Sequence, residues 1–310
     1  MRVLVTGCHG KIGSAVCEAL LARGDVVVGI DRRSAPHDRW VSTADSLTDP
    51  YAIHKVFEAA ERTTGRIEGV VHLAAHTNVH AATPEQVLRE NLAVNASVFQ
   101  AAVERGVHRI VFASSVQAVL GGIGREPGDP RVTRPRSLPI NEQTPVQPTN
   151  GYGLSKLLAE RMLEGLTSHS YDENIGTTAV SLRMPYVLDE SSFRAWANRA
   201  KGASDYRWGG CECYSYIHLE DAADACVRGL DAPLGSAHEV FWIAAPDPRV
   251  AESVAEIAQE HFAGVPGVEN AIRADSFMDT RRAEEVLGWR ARHTLRAFRG
   301  NELSADRPSR

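Results

Sequence analysis

Tyr152 and Lys156 stand four residues apart in Tyr152-Gly153-Leu154-Ser155-Lys156. On a helix that spacing puts a phenol and an ammonium on one face. A tyrosine with its ordinary pKa near ~10 is a poor base at neutral pH. A neighbouring cation stabilises its phenolate, and lowering the pKa by about three units takes about 4 kcal/mol. Upstream, Phe112-Ala113-Ser114-Ser115 closes a strand-like run. A serine at a strand end can donate a hydrogen bond to a reacting hydroxyl or carbonyl oxygen. The pair and the serines together suit proton transfer at a carbon bearing oxygen.

A second set of residues points to a phosphate-bearing ligand. Thr6-Gly7-Cys8-His9-Gly10-Lys11-Ile12-Gly13 joins a strand-like run to a helical one. Glycines in such a turn let backbone approach a pyrophosphate, and the helix N-terminus supplies N–H groups and the positive end of its dipole. Asp31 ends the second strand-like run, where a carboxylate can accept from ribose hydroxyls and would repel a 2'-phosphate. Arg32 and Arg33 follow and would attract one, so NAD is favoured at Asp31 and NADP stays open. Asp45-Ser46-Leu47-Thr48-Asp49 follows a third run; a side chain there either meets an adenine amino group or caps a helix.

The elements needed to hold these groups are legible as a rhythm. Apolar runs at 3–5, 26–30, 69–73, 110–112 and 179–182 alternate with segments of helical period. That is the pattern of an α/β, doubly wound parallel sheet covered on both faces. Ile12, Val16, Ala19 and Leu20 share one helix face, with Gly24 at the C-terminal cap. Further helices are expected over 85–105 and from about Tyr152. Residues 121–150, rich in Gly, Pro and Arg, should form a long loop. We expect a dinucleotide-binding domain over 1–185 with 214–246, and a small substrate-binding cap over 186–213 with 247–310.

These residues carry a resemblance. With His72-Leu73-Ala74-Ala75, Asn91, Ser114-Ser115, Tyr152/Lys156, Leu182-Arg183-Met184-Pro185 and Tyr216-Ile217-His218-Leu219-Glu220-Asp221, the chain resembles the extended short-chain dehydrogenases/reductases of the NAD-dependent epimerase/dehydratase family. The resemblance implies a Rossmann domain, NAD as cofactor, Ser115 as catalytic hydroxyl with Ser114 as the alternative, and Tyr152 as general acid/base. It makes Lys156 the group that lowers the tyrosine pKa and holds the nicotinamide ribose. Cofactor contacts would come from Gly7, His9, Gly10, Lys11, Ile12, Gly13, Asp31, Arg32, Asp45, Ser46, Leu47, Leu73, Ala74, Ala75, Asn91, Pro185 and Val187. Substrate would meet His76, Asn78, Ser114, Ser115, Val116, Gln117 and Arg183. The family's helices over 85–105 and 152–166 form a four-helix contact, which implies a homodimer.

The chain departs from the family pattern in places. Ser46 stands where an Asp usually precedes the leucine, with Asp45 displaced by one. Val116-Gln117 replaces the Asp-Glu pair of sugar-nucleotide 4,6-dehydratases, which argues against dehydration. The short stretch between Met184 and Tyr216 resembles uronate dehydrogenases and other small-substrate members. The expected reaction is hydride transfer at a hydroxyl carbon of a sugar-like or uronic-acid-like substrate. Nucleotide-sugar epimerisation with recycled NADH is the first alternative, and a non-catalytic NAD(P) sensor the second.

Composition sets the outer bounds. The 310 residues are 43% hydrophobic, and 34 Lys and Arg against 39 Asp and Glu leave a net charge of -5. With no basic run, a nucleic-acid partner is disfavoured. No stretch approaches the ~18 apolar residues of a membrane span, and Met1 to Gly7 enter a strand without a charged leader, so a cytoplasmic protein is expected. Five cysteines suit a reducing compartment. Cys211-Glu212-Cys213 alone falls short of a zinc pattern, so no metal is expected.

Overall fold

A computed structural model of the protein describes residues 1–33, 41–44, 46–77, 82–121, 134–172, 176–201 and 212–299. Strands β1 (Arg2–Thr6), β2 (Val26–Asp31), β3 (Val41–Ala44), β4 (Gly69–His72), β5 (Arg109–Ser115), β6 (Thr178–Met184) and β9 (His238–Trp242) form one parallel sheet in the order β3-β2-β1-β4-β5-β6-β9. Strand order reverses between β1 and β4, and a crevice opens there beyond the carboxyl ends of the strands. Two short strands, β7 (Tyr186–Leu188) and β8 (Tyr216–His218), pair separately and in parallel.

Alternation along each strand feeds two cores. Val3 and Val5 face one side with α1 (Lys11–Arg23) and α6 (Leu219–Asp231). Leu4, Val28 and Ile30 face the other with α2 (Pro50–Thr64), α3 (Pro84–Glu104) and α4 (Gly151–Asp172). The helix starts are locally specified. Asp49 caps α2 by accepting from the Tyr51 N–H at 2.9 Å. Thr83 and Gln86 form a reciprocal capping box on α3. The first helix ends as expected, with Gly24 in the left-handed conformation at φ 91°.

A third core holds the C-terminal part, where α7 (Val254–His261) and α8 (Val268–Ala274) pack with Val116, Leu138, Ile140, Trp242 and Phe277. The described part of the expected long loop, 134–150, is irregular yet fixed. The Leu138 N–H donates to Pro266 O at 2.9 Å, and the Ile140 N–H to Phe277 O at 2.8 Å. Helix α5 (Glu190–Ala197) follows β7. Residues 281–289 reach back to the main sheet: Ala283 and Leu287 of α9 (Arg281–Leu287), with Trp289, are buried in the first core. Among the described residues no helix is long and apolar enough to cross a membrane.

Candidate active site

The crevice holds a cleft of about 1120 Å³. At one end lies the glycine turn. Gly10 N–H donates to Gly7 O at 2.9 Å, and a Cβ on Gly13 would stand only 2.0 Å from that same Gly7 oxygen. The turn therefore closes only with glycine at 13. Helix α1 begins with no capping side chain and no acid in its first turn, so its unpaired N–H groups are open to an anion. Gly7, Gly10, Lys11, Ile12 and Gly13 all line the cleft.

Asp31, at the end of β2, lines the next part. It accepts from the His9 N–H at 3.1 Å and the Arg33 N–H at 3.0 Å, and keeps acceptor capacity on both oxygens. His9 thus acts on Asp31 and is not itself part of the lining. Arg33 turns back, its Nε 3.5 Å from Asp31 Oδ1 and its Nη2 donating to His9 O. One of the two arginines that would draw a 2'-phosphate is therefore occupied with Asp31. Arg32, Ser46 and Leu47 line the same end; Asp45 lies outside the described residues. These groups fit a dinucleotide with an unmodified adenosine ribose.

Behind Leu73, Ala74 and Ala75, which line the cleft, sits a buried network that the sequence did not single out. His72 Nε2 donates to Asn95 Oδ1 at 3.0 Å, which leaves Nδ1 to accept from the Thr6 hydroxyl at 2.6 Å. Thr6 Oγ1 in turn accepts from the Leu73 and Ala74 N–H groups, each at 3.2 Å. Burial pushes the His72 pKa down to about 3, so the ring is neutral. The network fixes the strand ends around the crevice.

The catalytic candidates converge at the other end. Asn150 holds the start of α4 by accepting from the Gly153 N–H at 2.7 Å and donating to Gln117 Oε1 at 2.9 Å. A Cβ on Gly153 would stand 2.3 Å from Gln117 O, so glycine lets α4 seat directly against the turn after β5. That contact brings Tyr152 beside Ser115, whose hydroxyl acts on the phenol. Lys156 Nζ donates to Ala113 O at 2.6 Å and lies 4.6 Å from the Phe112 ring centre and 5.6 Å from that of Tyr152. Burial pushes the Tyr152 pKa up to about 12, partly offset by Ser115. Burial also pushes Lys156 down to about 7, opposed by the Glu160 carboxylate. In the free protein the phenol is therefore raised, not lowered, because lost hydration outweighs every nearby group.

Other expected residues fall into three groups. Ser115, Val116, Gln117, His76, Pro185 and Val187 line the cleft. Asn91 lines it too, but its amide is engaged: Oδ1 accepts from the His76 N–H at 2.6 Å, and Nδ2 donates to His76 O and to Ser155 Oγ. Two of the expected substrate residues have their polar groups engaged elsewhere. Ser114 belongs to the lining, yet its hydroxyl donates inward to Glu160 Oε1 at 2.5 Å. Arg183 is outside the lining, its guanidinium held by Glu160 through bonds of 3.0 and 2.8 Å. Both satisfy a buried carboxylate one helical turn beyond Lys156. Asn78 lies outside the described residues.

Glu160 and Glu212 were missed. Glu212 lines the cleft and is paired with Arg249 at 3.0 Å; its place in Cys211-Glu212-Cys213 disguised it as structural. Glu160 carried the better signal, four residues past Lys156 on the same helix face. Away from the cleft, His218, Glu220 and His293 bring possible ligand atoms within 4.8 Å of one another. His218 Nδ1 already accepts from the Glu220 N–H, capping α6, and His293 Nδ1 bonds Asp221 Oδ1 at 3.1 Å.

Comparison with known proteins adds ancestry to this geometry. A family model described as NAD dependent epimerase/dehydratase family matches residues 3–244. UDP-glucose 4-epimerase of Corynebacterium glutamicum is 27% identical over 322 residues, covering 95% of this chain and 92% of the relative. Among solved structures, UDP-glucose 4-epimerase of Thermotoga maritima superposes with a TM-score of 0.66 at 20% identity, over 97% of this chain and 100% of the other. A mutated uronate dehydrogenase gives 0.64 at 20% identity, over 99% and 88%.

Proposed function

This chain belongs to the NAD dependent epimerase/dehydratase family, and from that premise we propose that it moves hydride at a hydroxyl-bearing carbon of a sugar-like substrate, with Ser115, Tyr152 and Lys156 as its catalytic groups. The observation that carries this reading is the convergence of the three on the cleft that also contains the glycine turn and Asp31. NAD, when bound, supplies the hydride acceptor and a positively charged ring. Tyr152 takes the hydroxyl proton of the substrate, and Ser115 donates a hydrogen bond to the oxygen left behind. Lys156, anchored at Ala113 O, holds positive charge beside the phenol, and Glu160 supports that charge. The other cofactor contacts are assigned to the lining residues named above, and the substrate to His76, Val116, Gln117 and Glu212.

The matched relatives act on UDP-glucose by name, which supports epimerisation; the uronate dehydrogenase supports net oxidation. The test is to add UDP-sugars, free sugars and uronic acids to protein loaded with NAD, following reduced nicotinamide and analysing products. Epimer formation without accumulating NADH establishes an epimerase. Accumulating NADH establishes a dehydrogenase. Binding of NAD with no conversion of any sugar overturns the substrate class.

The same reading includes a homodimer through α3 and α4. Its support is an open, largely apolar groove of about 560 Å³ bordered by Ala96, Ser97, Met162, Gly165 and Leu166. A cytoplasmic location is supported by buried cysteines outside any disulfide at Cys8, Cys17, Cys213 and Cys226.

A further inference from the structure

Lys11 opens α1 on the glycine-turn side of the cleft. Asp189 directly follows β7, whose Tyr186 and Val187 line the cleft with Pro185. Lys11 Nζ lies 2.6 Å from Asp189 Oδ2, so one ion pair joins the two walls. The carboxylate is the fixed partner. Its Oδ1 caps α5, accepting from the Ser192 N–H at 2.9 Å and the Ser191 hydroxyl at 2.7 Å. Lysine is the movable partner, a flexible stem rooted in the turn of helix where backbone N–H groups await an anion. Both side chains reach solvent, at 47% and 31% exposure, so the pair can open without unfolding anything.

We propose that Lys11 and Asp189 form a latch across the cleft, which opens to exchange the dinucleotide and, closed over it, slows its release. The inference rests on the cofactor reading given above. Asp189 is then a positioning residue that acts through Lys11 on how long NAD stays. A cofactor held between turnovers suits a reaction without net oxidation, in which hydride taken from the substrate carbon returns to that carbon before product leaves.

Two variants separate the latch from a plain phosphate contact. Asp189→Asn keeps the cap, since Asn serves that position as well as Asp, and removes the charge. Lys11→Met keeps the stem and removes the ammonium. Release of NADH is followed by stopped-flow displacement fluorescence for wild type, both single variants and the double variant. The latch predicts release about two- to fivefold faster in each single variant, the range an exposed ion pair supports, and no further gain in the double variant. If Asp189→Asn releases NADH at the wild-type rate or more slowly, Lys11 acts without Asp189 and the latch is overturned. If no protein of the set binds NADH at all, the cofactor reading falls and the latch falls with it.

Discussion

Burial acts against both members of the Tyr152–Lys156 pair in the free protein. The phenol is driven up to about 12 and the ammonium down to about 7, so the pair is set apart from bulk water without being activated by it. In the proposed mechanism activation comes from charge placed beside the phenol, by Lys156 and the bound cofactor together. Tyr152→Phe is accordingly expected to lower kcat by about a hundred- to ten-thousandfold while leaving NAD affinity, measured by fluorescence titration, within about twofold. Unchanged turnover would remove Tyr152 as the acid/base. Lys156 also makes a stability prediction. Its folded pKa lies below its unfolded value near 10.5, so between about pH 7 and 10.5 the unfolded chain binds more protons than the folded one. Stability therefore rises with pH across that window, and the penalty is full below it. In urea unfolding, wild type should gain on Lys156→Met as pH is raised from 7 to 10; a constant difference would place the ammonium in a more hydrated site.

At the level of elements, the site depends on tertiary contacts of very different legibility. Strand–turn–helix at 2–23, the Tyr152/Lys156 spacing and the serines at the end of β5 are local patterns, and local backbone preferences place them. Glu160 is different: its meaning comes from Ser114 and Arg183, which approach it only when β5, β6 and α4 pack together. Asp221 is the sharper case. Its sequence position suggests favourable interaction with the dipole of α6, but it is fully buried and its carboxylate accepts from the Arg292 and His293 N–H groups at 3.0 and 2.9 Å. No spacing rule links residues 71 apart. Asp221→Ala leaves those donors unsatisfied and should cost about 3–5 kcal/mol in urea unfolding, whereas Asp224→Ala, which breaks an exposed i,i+4 pair with Arg228, should cost under about 1 kcal/mol. Equal costs would mean that Asp221 serves only its own helix.

For the molecule as a whole, assembly and chain order set the remaining expectations. Gly165 lies in the open groove on α4, and an added Cβ there meets nothing within 4 Å, so Gly165→Arg should fold normally. If two protomers meet on this face, sedimentation should find wild type at twice 33.7 kDa and Gly165→Arg at the monomer mass; a wild-type monomer at micromolar concentration would defeat the dimer. The return of Trp289 to the first core, which also holds Val3 and Val5 of β1, and where it donates from Nε1 to Asp221 O at 2.9 Å, bears on biosynthesis. A ribosome delivers β1 (Arg2–Thr6) far earlier than Trp289. Until that indole emerges, one face of the sheet lacks part of its apolar cover, so a nascent chain stalled before it presents a sticky surface that invites chaperone capture.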